Sequence, residues 1–308
     1  MDVFPFIVGR GRSGTTLLRA MFDSHPDMAI PDETHFLVGF GRKRRRYERP
    51  DGFSVDAFMA DLAPRPGFLK MGVPAEAVEH DLRAAPPAGY ADAIRRVFAL
   101  YAAQRGKHRY ADKTPIHVLN LPFLARLFPE ARFIHIIRDG RDVALSYLDV
   151  AWGYQSIEEV TLAWKRAVEV GQRAGRRLGP DRYQEIRYET LVDEPEASLR
   201  QLSSFVELPY DPAMLRYFER ADEVIAPMGR PEARQGIYLP PTKGIRDWRR
   251  QMSARDVALF ETLAGSLLSD LGYERATKNP SRAMRLEAYG RWLRVQSLRL
   301  AGRGRKLA

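Results

Sequence analysis

The chain has 308 residues, 45% of them hydrophobic, and 49 Lys and Arg against 39 Asp and Glu give a net charge of +10. With no cysteine, a disulfide framework and cysteine-ligated zinc are excluded, and no stretch approaches the roughly 18 apolar residues of a membrane span. The start Met1-Asp-Val-Phe-Pro5 lacks the basic flank of a secretory signal, so the expectation is a cytoplasmic protein with an ordered core and an anionic partner.

The first element is the apolar run Phe4-Pro-Phe-Ile-Val8, followed by Gly9-Arg-Gly-Arg-Ser-Gly-Thr-Thr16 and then Leu17-Leu-Arg-Ala-Met21. That order predicts strand, glycine-rich loop and helix, in which consecutive backbone N–H groups and a helix N-terminus converge on a phosphate. The spacing Gly-x4-Gly-x-Thr is close to a nucleoside-triphosphate loop, but Thr15 stands where such loops carry lysine. The cation sits earlier, at Arg12. Met28-Ala-Ile30 is a short second strand ending at Pro31-Asp-Glu-Thr-His35, and 42–66 reads as polar, interrupted chain with short helices.

Ala91–Ala103 has helical apolar spacing, Arg109–Pro115 is a strand reaching a turn, and Leu121–Phe128 is a helix with Pro122 in its first turn. Arg132-Phe-Ile-His-Ile-Ile-Arg138 is a β-branched apolar run suited to a strand buried on both faces. His135 within it is expected to be a core histidine. Asp139-Gly140 turns the chain into a helix carrying Ser146. Arg138 and Ser146 would meet at the carboxyl edge of the sheet, where open α/β folds bind ligands. A guanidinium plus a hydroxyl suits a second phosphate. The competing reading is an Arg138–Asp139 salt bridge with Ser146 in solvent.

Helices are expected at Ile157–Arg176, Pro195–Phe205 and Ser253–Leu271, the last capped by Ser253, with a strand at Tyr183–Tyr188. Ala226–Thr242 reads as a long loop able to close as a lid. The alternation predicts an α/β fold with parallel βαβ units in a single sheet. Ser281–Leu300 reads as a basic amphipathic helix with Met284, Trp292, Val295 and Leu298 on one face, for packing on the domain or a partner subunit or for adsorption to a membrane surface.

In order and separation, the two phosphate motifs resemble those of sulfotransferases that use 3′-phosphoadenosine 5′-phosphosulfate (PAPS). The run Arg12–Asp27 followed by Glu33-Thr34 is especially similar to the tyrosylprotein sulfotransferases and their bacterial relatives. The resemblance runs from Phe6 to about Tyr273 and implies a P-loop-like central parallel sheet flanked by helices. The sulfotransferase domain is then 1–275, with 276–308 a basic helical tail.

It further implies that Arg12, Ser13, Gly14, Thr15 and Thr16 hold the 5′-phosphosulfate. Arg138 and Ser146 would hold the 3′-phosphate, and Tyr188 would line the adenine side. Lys243-Gly244 or Arg246, in Thr242-Lys-Gly-Ile-Arg-Asp-Trp248, would reach back to the 3′-phosphate. Glu33 matches the family's general base, with His35 as the alternative, and Lys113 matches its sulfonate-facing lysine. The bland readings are a carboxylate at a helix N-terminus for Glu33 and a surface cation for Lys113. His117 follows the lysine at longer spacing than in the cytosolic enzymes, so their base role is not carried over.

No metal is expected, and 3′-phosphoadenosine 5′-phosphate (PAP) would be the product. The acceptor would be a glycan, glycolipid or other hydroxyl compound ahead of a protein tyrosine, because His35 replaces a substrate-contacting arginine. Nucleic acid is not expected. The competing classes are a Mg-ATP phosphotransferase and a non-catalytic nucleotide- or polyanion-binding protein, the latter using Arg42-Lys-Arg-Arg-Arg46 and the tail.

Overall fold

A computed structural model describes residues 2–150, 153–225, 236–242, 244 and 246–300. Strand β1 (Phe4–Gly9) is buried throughout and leads through the glycine-rich loop into helix α1 (Thr15–Asp23). β2 (Met28–Ala29) follows, then α2 (Phe36–Arg42). A helical cap succeeds them: the hairpin β3 (Glu48–Arg49) and β4 (Gly52–Phe53), then α3 (Val55–Leu62), α4 (Pro66–Leu69), α5 (Ala75–Ala84) and α6 (Tyr90–Ala103).

The chain returns to the sheet as β5 (Arg109–Tyr110) and β6 (Asp112–Lys113), makes a 3-10 turn at Pro115–Asn120, and continues through α7 (Leu121–Leu127), β7 (Ala131–Ile137) and α8 (Gly140–Leu148). The long α9 (Ile157–Leu178) precedes β8 (Tyr183–Arg187), α10 (Tyr188–Asp193) and α11 (Pro195–Phe205). After a 3-10 stretch at Pro212–Arg220 come α12 (Ala221–Ile225), α13 (Trp248–Gln251), α14 (Ala254–Ala264), α15 (Leu267–Asp270) and α16 (Arg282–Leu300).

The main sheet has the order β6-β1-β7-β8, every neighbouring pair parallel. Alternation of side chains along β1 and β7 divides the core. Phe4, Phe6, Val8 and Phe133 pack towards α6 and α7, and Ile7, Ile134 and Ile136 towards α1 and α11. Parallel pairing also brings all four strand ends to one edge, which fixes where the site lies.

The structure corrects the expectation of a single sheet. β2 pairs with β5 and β6 with β1, so the segment 109–113 bridges a two-stranded and a four-stranded sheet. The expected helix Ser253–Leu271 is two helices, broken at Gly265, whose φ of 66° is left-handed. Ser253 does cap α14, its Oγ accepting from the Asp256 amide at 3.1 Å. The proposed apolar face of α16 is corrected as well: Ala288 and Val295 are buried and Met284 packs beside them, but Trp292 is exposed. Residues 226–235 of the expected lid lie outside the described residues.

Candidate active site

Each strand end delivers one element of the site. β1 leads into the loop 10–14, β6 ends in Lys113, and β7 and β8 are followed at once by Arg138 and Tyr188. Next to β6, the segment after β2 carries Asp32, Glu33 and His35.

Gly14 is the N-cap of α1, with φ 97° and no side-chain cap. The first amides of that nine-residue helix therefore lack the side-chain acceptor that usually satisfies them. A side chain at Gly14 is excluded twice, by its left-handed backbone and because a Cβ would lie 2.4 Å from the Tyr188 ring. Arg12 is also left-handed, at φ 70°, and its Nε donates to Ser146 Oγ at 2.9 Å. Ser13 and Thr15 are buried, while Thr16 is half-buried. Ser146 thus meets Arg12, in the first phosphate motif, rather than standing in solvent.

Arg138 lies with its guanidinium carbon 4.3 Å from the Tyr188 ring centroid, and its Nη2 is 3.7 Å from Asp142 Oδ2. Its Nε is buried and has no hydrogen-bond partner. The alternative Arg138–Asp139 pair is not what forms, because Asp139 is committed to Arg141, 2.7 Å away. Burial pushes the Asp142 carboxyl up to about 6, and Asp139 and Glu189 nearby add to this against the pull of Arg138.

The late segment reaches the same corner. The Trp248 amide donates to Asp142 Oδ1 at 2.9 Å, and the Trp248 ring lies 3.6 Å from the Arg141 guanidinium carbon. Gly244 is left-handed, and Arg246 pairs with Asp149 at 2.7 Å. Lys243 lies outside the described residues.

Lys113 is fully buried, which corrects its reading as a surface cation. Its Nζ lies 2.9 Å from Glu33 Oε1 and 3.8 Å from Asp32 Oδ1. Glu33 Oε2 lies 3.1 Å from His35 Nε2. Burial alone would raise the Glu33 pKa, but the charge of Lys113 and the bonds from His35 and Lys113 hold it well below the usual carboxylate range. The bond to Glu33 in turn raises His35, against its own desolvation. Glu33 is outside any helix, since α2 begins at Phe36, so its reading as a helix N-terminal carboxylate falls away.

Asp112, which the sequence reading passed over, ties this corner together. Fully buried, it accepts from Thr34 Oγ1 at 2.7 Å and from Thr114 Oγ1 at 3.1 Å, and pairs with His117 Nδ1 at 3.0 Å. It therefore fixes the residue between Glu33 and His35 to the strand that carries Lys113. Arg141 was also missed; fully buried, it joins Asp139 to Glu261 of α14 at 2.5 Å. His135 is a core residue, at 2.6 Å from Tyr183 Oη, with its pKa lowered by burial to about 3.

The family model described as the sulfotransferase family matches residues 6–212. The protein-tyrosine sulfotransferase of Drosophila melanogaster is 26% identical over 285 residues, covering 89% of this chain and 52% of its own length. The chain thus spans about half of that relative. A putative protein-tyrosine sulfotransferase of Caenorhabditis briggsae is 27% identical over 91% of this chain and 92% of its own. Among solved structures, the sulfotransferase domain of the Synechococcus PCC 7002 olefin synthase superposes with a TM-score of 0.61 at 22% identity, over 89% of this chain and 95% of that domain.

Proposed function

The chain belongs to the sulfotransferase family, and we propose that it moves a sulfonate group from PAPS to a hydroxyl acceptor. The observation that carries this reading is the convergence of three cationic side chains and one carboxylate on a single sheet edge, beside a helix N-terminus without a side-chain cap. The residues fit the nucleotide: the first amides of α1 have no side-chain acceptor, and Arg138 has a buried N–H without a partner. The amides at 12–16 would hold the 5′-phosphate, Arg138 and the 244–248 segment the 3′-phosphate, and Tyr188 the adenine side. Lys243 remains part of this proposal.

PAPS supplies a sulfonate on an anhydride oxygen; that S–O bond breaks as the acceptor O–S bond forms, and PAP leaves. Charge then builds on the leaving oxygen, as in phosphoryl transfer. Arg12 and Lys113 are the cations set against that charge, and their fixed positions mean little reorganisation is needed. Ser146 holds the Arg12 side chain in place.

Glu33 takes the proton of the acceptor hydroxyl. In the resting geometry Lys113 and His35 both hold its oxygens. A new anion beside Lys113 competes for its ammonium and so restores basicity to Glu33. His35 is the weaker candidate, because its raised pKa favours the imidazolium, which cannot accept a proton.

We favour a glycan, glycolipid or small hydroxyl compound as acceptor, since His35 stands where the tyrosylprotein enzymes carry arginine. Protein tyrosine is the competing acceptor, because the curated relatives are named for it. The test is incubation with radiolabelled PAPS and two acceptor pools, glycans and acidic tyrosine peptides. Label transferred to the glycan pool with release of PAP supports the reading. Transfer to peptide alone reassigns the acceptor, and no PAP release with any acceptor contradicts catalysis.

A further inference from the structure

Helix α16 carries apolar residues on two opposite sides. At 100° per residue, Met284, Ala288 and Val295 fall on one side, and these pack against α9 and α14. That side is also pinned by ion pairs: Arg291 joins Glu158 at 3.2 Å and Glu287 at 3.0 Å, and Arg255 of α14 joins Glu287 at 2.6 Å. Leu286, Tyr289, Leu293 and Leu300 fall on the other side, half a turn away. They remain 72%, 60%, 44% and 90% exposed. Tyr289 stacks on Trp292 with ring centroids 5.9 Å apart, so an aromatic pair lies in or beside the outer strip.

The charge around that strip has one sign. Arg282, Arg285 and Arg294 are exposed, and no ion pair among the described residues uses them. Glu287, the acidic residue of α16, is already paired with Arg255 and Arg291. A second copy of the chain is a poor occupant. A two-fold contact would set these arginines against one another, with no free carboxylate among the described residues of the helix.

We propose that the outer strip of α16 is a docking surface for an anionic phospholipid bilayer. Leu286, Tyr289, Leu293 and Leu300 would enter the headgroup–acyl boundary, with the aromatic pair at the headgroup level and the arginines on lipid phosphates. The domain holds the inner side, so the helix adsorbs without leaving its own core. This is independent of the sulfotransferase reading and does not require catalysis.

The test is co-sedimentation of the full chain with phosphatidylcholine vesicles containing about one-quarter phosphatidylglycerol, against pure phosphatidylcholine. Binding to the anionic vesicles is expected, and both Leu286→Ser/Leu293→Ser and Arg282→Glu/Arg285→Glu should weaken it roughly tenfold with circular dichroism unchanged. Leu293→Ser alone provides a milder variant should the first pair disturb the fold. Absence of binding overturns the proposal. So does binding that only the arginine variant weakens, which is adsorption of a basic protein without the apolar strip. A lipid-free dimer that the serine variants dissociate assigns the strip to self-association and likewise overturns it.

Discussion

Lys113 Nζ stands 2.9 Å from Glu33 Oε1, and the lysine is completely buried. The cation and the carboxylate of the proposed reaction are therefore a contacting pair before any substrate arrives. Glu33→Gln keeps the shape and a hydrogen-bonding oxygen but removes the base. It should lower kcat/KM by roughly 10²–10⁴ while leaving the Kd for PAP within about twofold. A folded Glu33→Gln enzyme with the full rate would place the base elsewhere, and His35 would be examined next.

The bond between His35 and Glu33, which raises the histidine, predicts a pH dependence. Below its raised pKa, the imidazolium occupies Glu33 Oε2; above it, that oxygen is released. kcat/KM should rise with pH through a step above about 6.5, and His35→Gln should lose the step. Stability runs the other way: the contribution of His35 is complete below about 6.5 and is lost as pH rises through the folded value. A wild-type profile without a histidine-dependent step contradicts this account.

Asp142 pairs with Arg138, and burial carries its pKa up to about 6. The unfolded chain releases that proton near 3.8, so this group's contribution to stability falls as pH rises between those values. Above about 6 the carboxylate competes with a phosphate for Arg138. Asp142→Asn should therefore tighten PAP binding at pH 7.5 by roughly 2–5-fold, the worth of one partly screened charge. The advantage over wild type should vanish below pH 6. Comparing the two proteins in the same buffers cancels the phosphate's own titration. Equal affinities at pH 7.5 would remove Asp142 from the phosphate corner.

Gly67 approaches the base segment so closely that a Cβ would lie 2.2 Å from the Thr34 carbonyl oxygen and 2.9 Å from its carbon. Both atoms are backbone, so Gly67→Ala must displace the chain between Glu33 and His35. The expected cost is about 1–3 kcal/mol, seen as a melting point lower by several degrees, with kcat reduced at least about tenfold by a misplaced base. PAP affinity should hold, because the phosphate loop is untouched. An unchanged kcat would show that the position of Glu33 is not critical.

The elements legible in the sequence are those specified locally. β1 is an apolar run and β7 a nearly continuous one, α11 opens on Pro195, and α14 carries its own cap at Ser253. The hairpin at 48–53 was missed because Glu48 and Arg49 are both exposed, so no apolar alternation marks them, although Asp51-Gly52 is a turn signal. Apolar spacing alone puts Trp292 with Met284, but eight residues at 100° each leave it about 80° away, and it is exposed. Residues of the phosphate motifs could be named because their chemistry lies in consecutive positions. Asp112 could not, since its partner Thr34 is 78 positions away. Arg141 reaches Glu261 across 120 positions. Such roles exist only once the chain is folded.

The most direct test of the central claim is calorimetric titration of the purified chain with PAP, with Mg-ATP as comparison and Arg138→Ala as control. The account predicts micromolar binding of PAP without metal, lost in Arg138→Ala and not matched by Mg-ATP. Failure to bind PAP, or a preference for Mg-ATP, would contradict PAPS as the donor and bring the phosphotransferase reading forward.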